Sequence, residues 1–213
     1  MFTGIIEELG TIKEVKPLDG GKEFTIACSF ANEVHVDESI SINGACQTVT
    51  AHDSRTFTVQ SVQETLSKTT FGSLKAGMQV NLERSLSLNK GIEGHLVQGH
   101  VDHTGEVASL KREGSEWLLT ISYPESSRDL IVGRGSIAID GISLTVAREE
   151  GNQFTVAIIP YTYEHTNIKH LKKGDEVNLE FDMLGKYVVR YLENRGAKGG
   201  GGLTGERLRE LGY

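Results

Sequence analysis

The feature of this chain that most constrains its fold is an internal duplication. The segment Ile40–Val49 returns 97 residues later as Ile137–Val146, with a glycine and a Thr-Val pair at the same places. Leu74–Glu83 returns at the same spacing as Leu171–Glu180, whereas Gly4 recurs after 95 residues, so the two halves differ by a small insertion. Repeats of about 90 residues are large enough to be small domains. The chain is therefore a tandem duplication, and its function is expected to need two similar sites.

Composition limits the class of protein. The 213 residues include 38% hydrophobic and 24% charged residues, which is typical of a soluble globular protein. A net charge of −7 argues against nucleic-acid binding, because phosphate contacts need clustered basic residues. No segment has the pattern of a signal peptide or of a membrane span. Cys28 and Cys46 do not make a disulfide framework, so we expect a cytoplasmic protein.

Period-two patterning of apolar residues predicts strands in both halves. The clearest segments are Ser39–Ile42, Thr56–Val59, Gln79–Leu82, Trp117–Ile121, Phe154–Ile158 and Glu176–Phe181. Asn43-Gly44 and Asp140-Gly141 favour tight turns with positive φ. About six strands per half favour closed sheets, which leave no exposed edges. We predict an all-β fold of two tandem, similar, six-stranded antiparallel Greek-key barrels with short connecting helices and a C-terminal α-helix.

Three helices are expected. Two short connecting helices cover Gln63–Phe71 and Tyr161–Ile168, before the last strand of each barrel. The third begins near Leu184, lies outside the duplicated unit, and is amphipathic, so it either contacts another subunit or packs on its own domain. Its apolar positions are Tyr187, Val188, Tyr191 and Leu192. The predicted domains are 1–95, 96–186 and 187–213, with a flexible linker at 198–202.

The sharpest local motif is Gly-x-x-x-Thr-Val, which starts at Gly44 and again at Gly141. A strand that leaves a glycine turn and then exposes a Ser or Cys and a Thr offers hydrogen-bond donors and acceptors beside the backbone. Such an edge suits a flat heteroaromatic ring that carries imide-like C=O and N–H groups. The alternative is a polar strand face whose hydroxyls are satisfied within the protein.

Differences between the halves suggest that only some residues are placed for chemistry. His100 stands where the first half has Ile5, and it can act as an acid or base near neutral pH. Asp182, opposite Ser85, can orient that histidine or stabilise a developing cation. Cys46, opposite Ser143, is either a nucleophile or inert packing. The spacing of His95, His100 and His103 follows no strong zinc pattern, so no metal site is expected.

Four segments in this order closely resemble the riboflavin synthases of the alpha-chain type. They are Met1–Ile6, Asn43–Thr50, Gly94–Val101 and Gly135–Val146, and the resemblance covers about residues 1–192. It implies two lumazine-binding barrels and a homotrimer held by the C-terminal helices. Each active site would form between the N-terminal barrel of one subunit and the C-terminal barrel of its neighbour.

The resemblance also implies a reaction. Two molecules of 6,7-dimethyl-8-ribityllumazine dismutate by four-carbon transfer into riboflavin and 5-amino-6-ribitylaminouracil, the last step of riboflavin biosynthesis. No cofactor or metal is expected. Association with lumazine synthase, the enzyme that makes the substrate, is left open.

Site residues follow from the matching motifs. Those implied in proton transfer, intermediate stabilisation and shaping of the interface are His100, Ser39, Cys46, Asp182 and Phe2. The ligand of the N-terminal barrel is expected to touch Gly4, Ile5, Ile6, Cys46, Gln47, Thr48, Gln60, Ser61, Val62, Gln63, Glu64 and Thr65. The ligand of the C-terminal barrel is expected to touch Gly99, His100, Val101, Ser143, Leu144, Thr145, Ala157, Ile158, Ile159, Pro160, Tyr161 and Thr162. Arg134 stands where the family places a basic residue that reaches the neighbour's ligand.

Two other functions compete with this interpretation. The first is a non-catalytic antenna of the same fold, like the lumazine protein of luminous bacteria. In that family the second Ser-Leu-Thr-Val motif and the Gly-His-Val motif are degraded. In this sequence both motifs are intact, at Ser143–Val146 and Gly99–Val101. The second is a barrel that binds oligonucleotides or sugars, which 7% aromatic residues and an acidic balance disfavour. Gln47 departs from the leucine that the family usually has after the cysteine.

Overall fold

The computed structural model describes residues 1–89 and 91–197. In this part of the chain, two groups of six strands follow one another and a longer helix comes last. The first half contains β1 (Glu8–Leu18), β2 (Gly21–Ala27), β3 (Ser39–Ile42), β4 (Ala45–His52), β5 (Thr56–Val62), α1 (Gln63–Lys68), a 3-10 helix (Thr70–Ser73) and β6 (Gln79–Arg84). The second half contains β7 (His103–Glu113), β8 (Glu116–Ser122), a 3-10 helix (Glu125–Leu130), β9 (Ser136–Ile139), β10 (Ile142–Glu150), β11 (Gln153–Ile158), α2 (Pro160–His165), a 3-10 helix (Asn167–His170), β12 (Glu176–Phe181) and α3 (Met183–Ala197).

Each half closes into an antiparallel barrel, which confirms the predicted fold class. The strand order of the first barrel is β1-β2-β5-β4-β3-β6, and β6 pairs back with β1. The second barrel has the same order of equivalent strands, β7-β8-β11-β10-β9-β12. The predicted connecting helices are present, although α1 ends at Lys68 and the chain continues as a 3-10 helix to Ser73.

Each barrel encloses its own hydrophobic core. The first core includes Phe24, Phe57 and Phe71, all fully buried, and the rings of Phe24 and Phe71 meet edge to face at 5.4 Å. The second core is built around Phe154 and Phe181. Burial of one such side chain contributes about 1.5–3 kcal/mol, so each core stabilises its own barrel.

The predicted glycine turns join β3 to β4 and β9 to β10. Asn43 and Asp140 each have φ of 44°, and the following glycines have φ of 79° and 80°. The two turns pack against each other: a methyl group on Gly44 would lie 2.6 Å from the backbone nitrogen of Gly141. The duplicated turns therefore meet at the contact between the barrels, where only glycine leaves enough room.

A buried polar network surrounds these turns. Asn81 Nδ2 donates to the carbonyl oxygen of Asp140 at 2.9 Å, and Asn178 Nδ2 donates to the carbonyl oxygen of Asn43 at 2.7 Å. The Asp140 carboxylate accepts from the Asn178 amide at 2.8 Å and from Asn167 Nδ2 at 2.7 Å. Burial raises the pKa of Asp140 to about 6, although these donors favour its charged form.

Helix α3 leaves the second barrel with one apolar face uncovered. Lys186 anchors its first turn through an ion pair to Asp102 at 2.6 Å. The exposed apolar side chains are Leu184, Tyr187, Val188, Tyr191 and Leu192, each more than half exposed. The predicted linker at 198–202 lies outside the described residues. In the described part of the chain, none of the helices combines the length and apolarity needed to cross a membrane.

Candidate active site

The segments that precede the two barrels are joined by a short antiparallel bridge. The amide of Phe2 donates to the carbonyl oxygen of Val97 at 2.7 Å, and the amide of Val97 donates to that of Phe2 at 3.1 Å. Both side chains are buried. Phe2 therefore sits at the junction of the two halves.

Beyond this bridge, each segment lies along the motif of the other half. The amide of Cys46 donates to the carbonyl oxygen of Gly99 at 2.9 Å, and the amide of Ser143 donates to that of Gly4 at 2.8 Å. This pairing differs from the expected grouping, in which Gly4–Ile6 and Cys46 touch one ligand and Gly99–Val101 and Ser143 touch the other. The bridge turns the two segments past each other, and the sequence gives no signal for this exchange.

Two buried glutamates, which the sequence analysis missed, hold these segments in place. Glu83 accepts hydrogen bonds from the amides of Thr3 and Gly4 at 2.7 and 2.9 Å and from the Thr3 hydroxyl at 2.7 Å. Glu180 accepts from the amides of Gln98, Gly99 and His100 at 2.6, 2.9 and 2.9 Å. Burial raises the pKa of Glu180, and the three amides oppose this effect. The repeated Asn-Leu-Glu at 81–83 and 178–180 was the signal that could have revealed them.

The first barrel carries an open recess of about 180 Å³ beside its motif. It brings Cys46 and His100 together with the start of α1, so two of the predicted catalytic residues share one surface. Cys46 is half-buried and His100 is exposed. The residues that line it are Ala45, Cys46, Gln47, Glu64, Thr65, Lys68, Thr69, Gly99, His100 and Val101.

The unusual Gln47 is buried beneath this recess. Its Oε1 accepts a hydrogen bond from the Ser61 hydroxyl at 2.5 Å, and its Nε2 donates to the carbonyl oxygen of Cys46 at 2.8 Å. Leu144 is its counterpart in the second barrel and packs there against the hydrophobic core. The hydrogen bond from Ser61 thus satisfies the buried side-chain amide of Gln47. Glutamine in place of leucine at this position therefore leaves the backbone of the motif unchanged.

The second barrel's motif has a histidine partner. His95 Nδ1 lies 2.7 Å from Ser143 Oγ, and the His95 amide donates to the carbonyl oxygen of Thr3 at 3.1 Å. Burial lowers the pKa of the His95 imidazole, and the charge of Asp182 partly opposes this. The charge of Asp182 therefore acts on His95, whereas the sequence offered it either for orienting His100 or for stabilising a developing cation.

The remaining predicted residues lie around the two motifs. Ser39 starts β3 opposite Thr48, and Thr48 and Thr145 are both exposed. Val62 at the end of β5 and Ile159 just after β11 are both exposed. Ser61 and Ile158 are buried, so these two members of the expected contact set face the barrel interiors.

Arg134 is exposed just before β9, with φ of 66°, and its amide donates to the carbonyl oxygen of Val146 at 2.8 Å. The three histidines near residue 100 contact different groups. His95 contacts Ser143, His100 lines the recess, and His103 packs near Phe181. Within the described ranges, three or more metal-ligating side chains do not come together.

The comparisons with known proteins agree with this doubled architecture. The family model of the lumazine binding domain matches twice, over residues 3–85 and 98–182. The riboflavin synthase of Actinobacillus pleuropneumoniae is 43% identical over 194 residues, covering 90% of each chain. That of Bacillus subtilis (strain 168) is 39% identical over 193 residues, again covering 90% of each chain.

Solved structures show the same fold. LumP in complex with 6,7-dimethyl-8-(1'-D-ribityl) lumazine superposes with a TM-score of 0.77 at 23% identity, covering 85% of this chain and 99% of that one. LumP in complex with riboflavin gives a TM-score of 0.79 with the same identity and coverage. From its two domain matches and its relatives, this chain belongs to the riboflavin synthase family and is built from two lumazine-binding domains.

Proposed function

We propose that this chain is a riboflavin synthase, which dismutates two molecules of 6,7-dimethyl-8-ribityllumazine into riboflavin and 5-amino-6-ribitylaminouracil. The observation that carries the proposal is the doubled site. Two equivalent surfaces are present, each joined by an amide-to-carbonyl hydrogen bond. The first consists of Cys46–Thr48 and Gly99–Val101, and the second of Ser143–Thr145 and Gly4–Ile6. Donor and acceptor are the same compound, so two similar binding modules suit this reaction.

The polar groups of each motif suit a pteridine ring. The exposed Thr48 and Thr145 and the neighbouring backbone offer donors and acceptors to the ring's imide edge. The exposed Val62 at the end of β5 and the exposed Ile159 just after β11 offer apolar surface to the ring face. We assign the contact set of the sequence analysis to these two sites, with Gly4–Ile6 and Gly99–Val101 exchanged between the barrels.

Of these two surfaces, the first is the one that places a histidine beside a thiol. His100 lies beside Cys46 in the recess, placed by the Glu180 carboxylate that binds its amide at 2.9 Å. We assign proton transfer to His100, with Cys46, Ser39 and Asp182 assisting and Phe2 shaping the junction. The 7-methyl proton of the substrate is acidic because its anion delocalises into the ring, so one positioned base suffices.

The two ligands must meet face to face for the four-carbon unit to pass between them. The recess beside Cys46 is open, so a second surface is needed to enclose a pair of rings. We propose that the surface comes from the C-terminal barrel of a neighbouring subunit in a homotrimer, and that the apolar face of α3 holds the trimer. The exposed Arg134 would reach the neighbour's ligand. Holding both reactants together can lower the barrier by up to about 7–11 kcal/mol, so no cofactor is required.

The proposal includes the domain bounds, the cellular location and a partner protein. We propose domains at 1–95 and 96–186 with the trimerisation segment at 187–213, and a cytoplasmic location. Two cysteines without a disulfide framework support that location. Association with lumazine synthase stays a prediction that co-purification of the two proteins can test.

A non-catalytic antenna is the second candidate, and the likeness to LumP favours it. That likeness is at 23% identity, whereas the synthase of Schizosaccharomyces pombe is 38% identical over 200 residues, covering 91% of this chain and 94% of its own. His100, Ser143 and Thr145 are all present at the two surfaces. The enzyme is therefore the better-supported function.

The deciding experiment mixes chelator-treated protein with 6,7-dimethyl-8-ribityllumazine and follows riboflavin absorbance. We expect one riboflavin for every two lumazines consumed. The control is a His100→Ala variant, which should bind lumazine but form riboflavin much more slowly. A stable lumazine spectrum on tightly binding wild-type protein would establish the antenna instead.

A further inference from the structure

We propose that His95 is a positioning residue for the second barrel's ligand: it accepts the proton of the Ser143 hydroxyl and so presents the Ser143 oxygen as an acceptor to a ligand N–H. The inference rests on the proposed function, because it takes the ligand of that barrel to be a pteridine with an imide edge. The 2.7 Å approach of His95 Nδ1 to Ser143 Oγ is the observation that carries it.

The backbone around His95 enforces this contact. The His95 amide is held by the carbonyl oxygen of Thr3 at 3.1 Å. A methyl group on the preceding Gly94 would lie 2.1 Å from that same oxygen and 2.8 Å from the Cβ of Ser143. The glycine therefore allows the segment to approach closely, and the imidazole can reach the hydroxyl without competing for space.

The first barrel has no such arrangement. Cys46 stands at the position of Ser143, and in the described part of the chain no histidine nitrogen is bonded to its thiol. A thiol is a weak donor and a weak acceptor. The contact with His95 therefore makes the two lumazine sites chemically different, although their backbones are equivalent.

The protonation state of His95 decides which way the hydroxyl points. Burial lowers the pKa of His95, so the ring is neutral at pH 7 and its unprotonated nitrogen can accept from Ser143. Asp182 is the charged group that acts on the ring, and its negative charge partly opposes the lowering of the pKa. When acid protonates the ring, Nδ1–H donates to Ser143 instead, and the hydroxyl proton turns away from the histidine.

This reversal has a measurable cost for a ligand N–H. With neutral His95 the Ser143 oxygen keeps its lone pairs for the ligand, whereas with protonated His95 one lone pair accepts from Nδ1–H and the released hydroxyl proton competes with the ligand N–H for the space beside the oxygen. An unmade hydrogen bond to a buried partner weakens binding by roughly tenfold or more. The second site should therefore bind a pteridine more weakly below the ordinary pKa range of histidine.

The test measures riboflavin binding by the quenching of Trp117, the single tryptophan, which stacks on Tyr163 of α2 at 4.0 Å in the second barrel. Wild-type protein should bind about tenfold more weakly at an acidic pH, below the lowered pKa of His95, than at pH 7.5. His95→Asn keeps an acceptor that does not titrate, so it should bind like wild type at pH 7.5 and lose the pH dependence. His95→Ala should bind about tenfold more weakly at both pH values.

A double-mutant cycle shows whether His95 acts through Ser143. His95→Ala should weaken binding no further when Ser143→Ala is already present. The inference is overturned if His95→Asn keeps the wild-type pH dependence, or if the two substitutions weaken binding independently. These outcomes are separate from failure of the proposed function, which would appear as wild-type protein that forms no riboflavin from lumazine.

Discussion

The amide of Cys46 donates to the carbonyl oxygen of Gly99 at 2.9 Å, although these residues belong to different halves of the chain. Gly4 and Ser143 make the equivalent contact at 2.8 Å. Each binding surface therefore combines the motif of one barrel with the segment that leads into the other. A change in either segment is expected to affect the site of the opposite half.

Gly99→Ala should damage the first barrel's site. The added methyl group would lie 2.6 Å from the Cβ of Cys46 and 2.9 Å from the Phe2 ring, and φ is +80°. We expect a loss of unfolding free energy of about 2–4 kcal/mol and weaker lumazine binding. The control is Gly20→Ala, with φ of +75° and open space around it. Equal losses in unfolding experiments on both variants would show that backbone strain, not the contact, is responsible.

Glu180→Gln should slow turnover. The Glu180 carboxylate binds three amides, at Gln98, Gly99 and His100, and an amide side chain can replace one oxygen acceptor but not both. We expect kcat to fall by about tenfold or more, because His100 loses its position. Glu176→Gln, at an exposed site on the same strand, should leave steady-state kinetics unchanged. Wild-type kinetics in Glu180→Gln would contradict a positioning role.

His100→Ala should separate chemistry from binding. The side chain is exposed beside Cys46, so its removal leaves most ligand contacts in place. We expect kcat to fall by about 10²-fold or more, with the lumazine dissociation constant nearly unchanged. His52→Ala, at an exposed site away from the recess, serves as the control. Equal losses in kcat and in affinity would remove His100 from the proton-transfer step.

Stability should depend on pH through Asp140. Its pKa is about 6 in the folded protein and 3.8 in the unfolded chain, so the folded state binds more protons between these values. This carboxyl's contribution to the unfolding free energy therefore falls as pH rises from about 4 to about 6, by roughly 1–3 kcal/mol. Asn43 and Thr70 stand 97 residues before Asp140 and Asn167, at the equivalent positions of the first half. The double variant Asp140→Asn with Asn167→Thr gives the second half these residues and should remove the slope.

Chemical unfolding at several pH values measures the difference between wild type and the double variant. Asp19→Asn, at an exposed turn, is the control and should keep the wild-type slope. Parallel curves for the wild type and the double variant would mean that Asp140 does not titrate in this range.

Val188→Glu should dissociate the proposed trimer. Val188 is 57% exposed on the apolar face of α3, where a charge would be buried by a neighbouring subunit. We expect light scattering to show monomers that retain folded barrels, bind lumazine and lack synthase activity. Arg190→Glu on the same helix is the control. An active monomer would contradict an active site shared between subunits.

Local features of the fold could be predicted because they depend on neighbours in sequence. Asn43-Gly44 and Asp140-Gly141 predicted tight turns, and both have the positive φ that such turns require. Alternation over Trp117–Ile121 predicted a strand, and β8 contains it. Closure of the barrels followed from the number of strands and the cost of exposed edges.

The site was less predictable because it depends on contacts between the halves. The exchange of Gly4 and Gly99 follows from the bridge between Phe2 and Val97, which no periodicity reveals. Glu83 and Glu180 belong to a repeated Asn-Leu-Glu, but their partners lie about 80 residues away in sequence, so their role becomes clear only from their burial and hydrogen bonds. The sequence spacing of His95 bears only on metal binding, which it disfavours, whereas the side chain contacts the hydroxyl of Ser143.

The crossed segments give the chain the architecture of a tethered dimer. A single ancestral barrel with this leading segment would have to exchange it with an identical copy, and both sites would then be the same. Fusion into one polypeptide holds the copies at high effective concentration and lets each gene half change alone. His100 thus stands in the second half where the first half has Ile5, and Ser143 stands where it has Cys46, so one duplicated design gives two unequal sites.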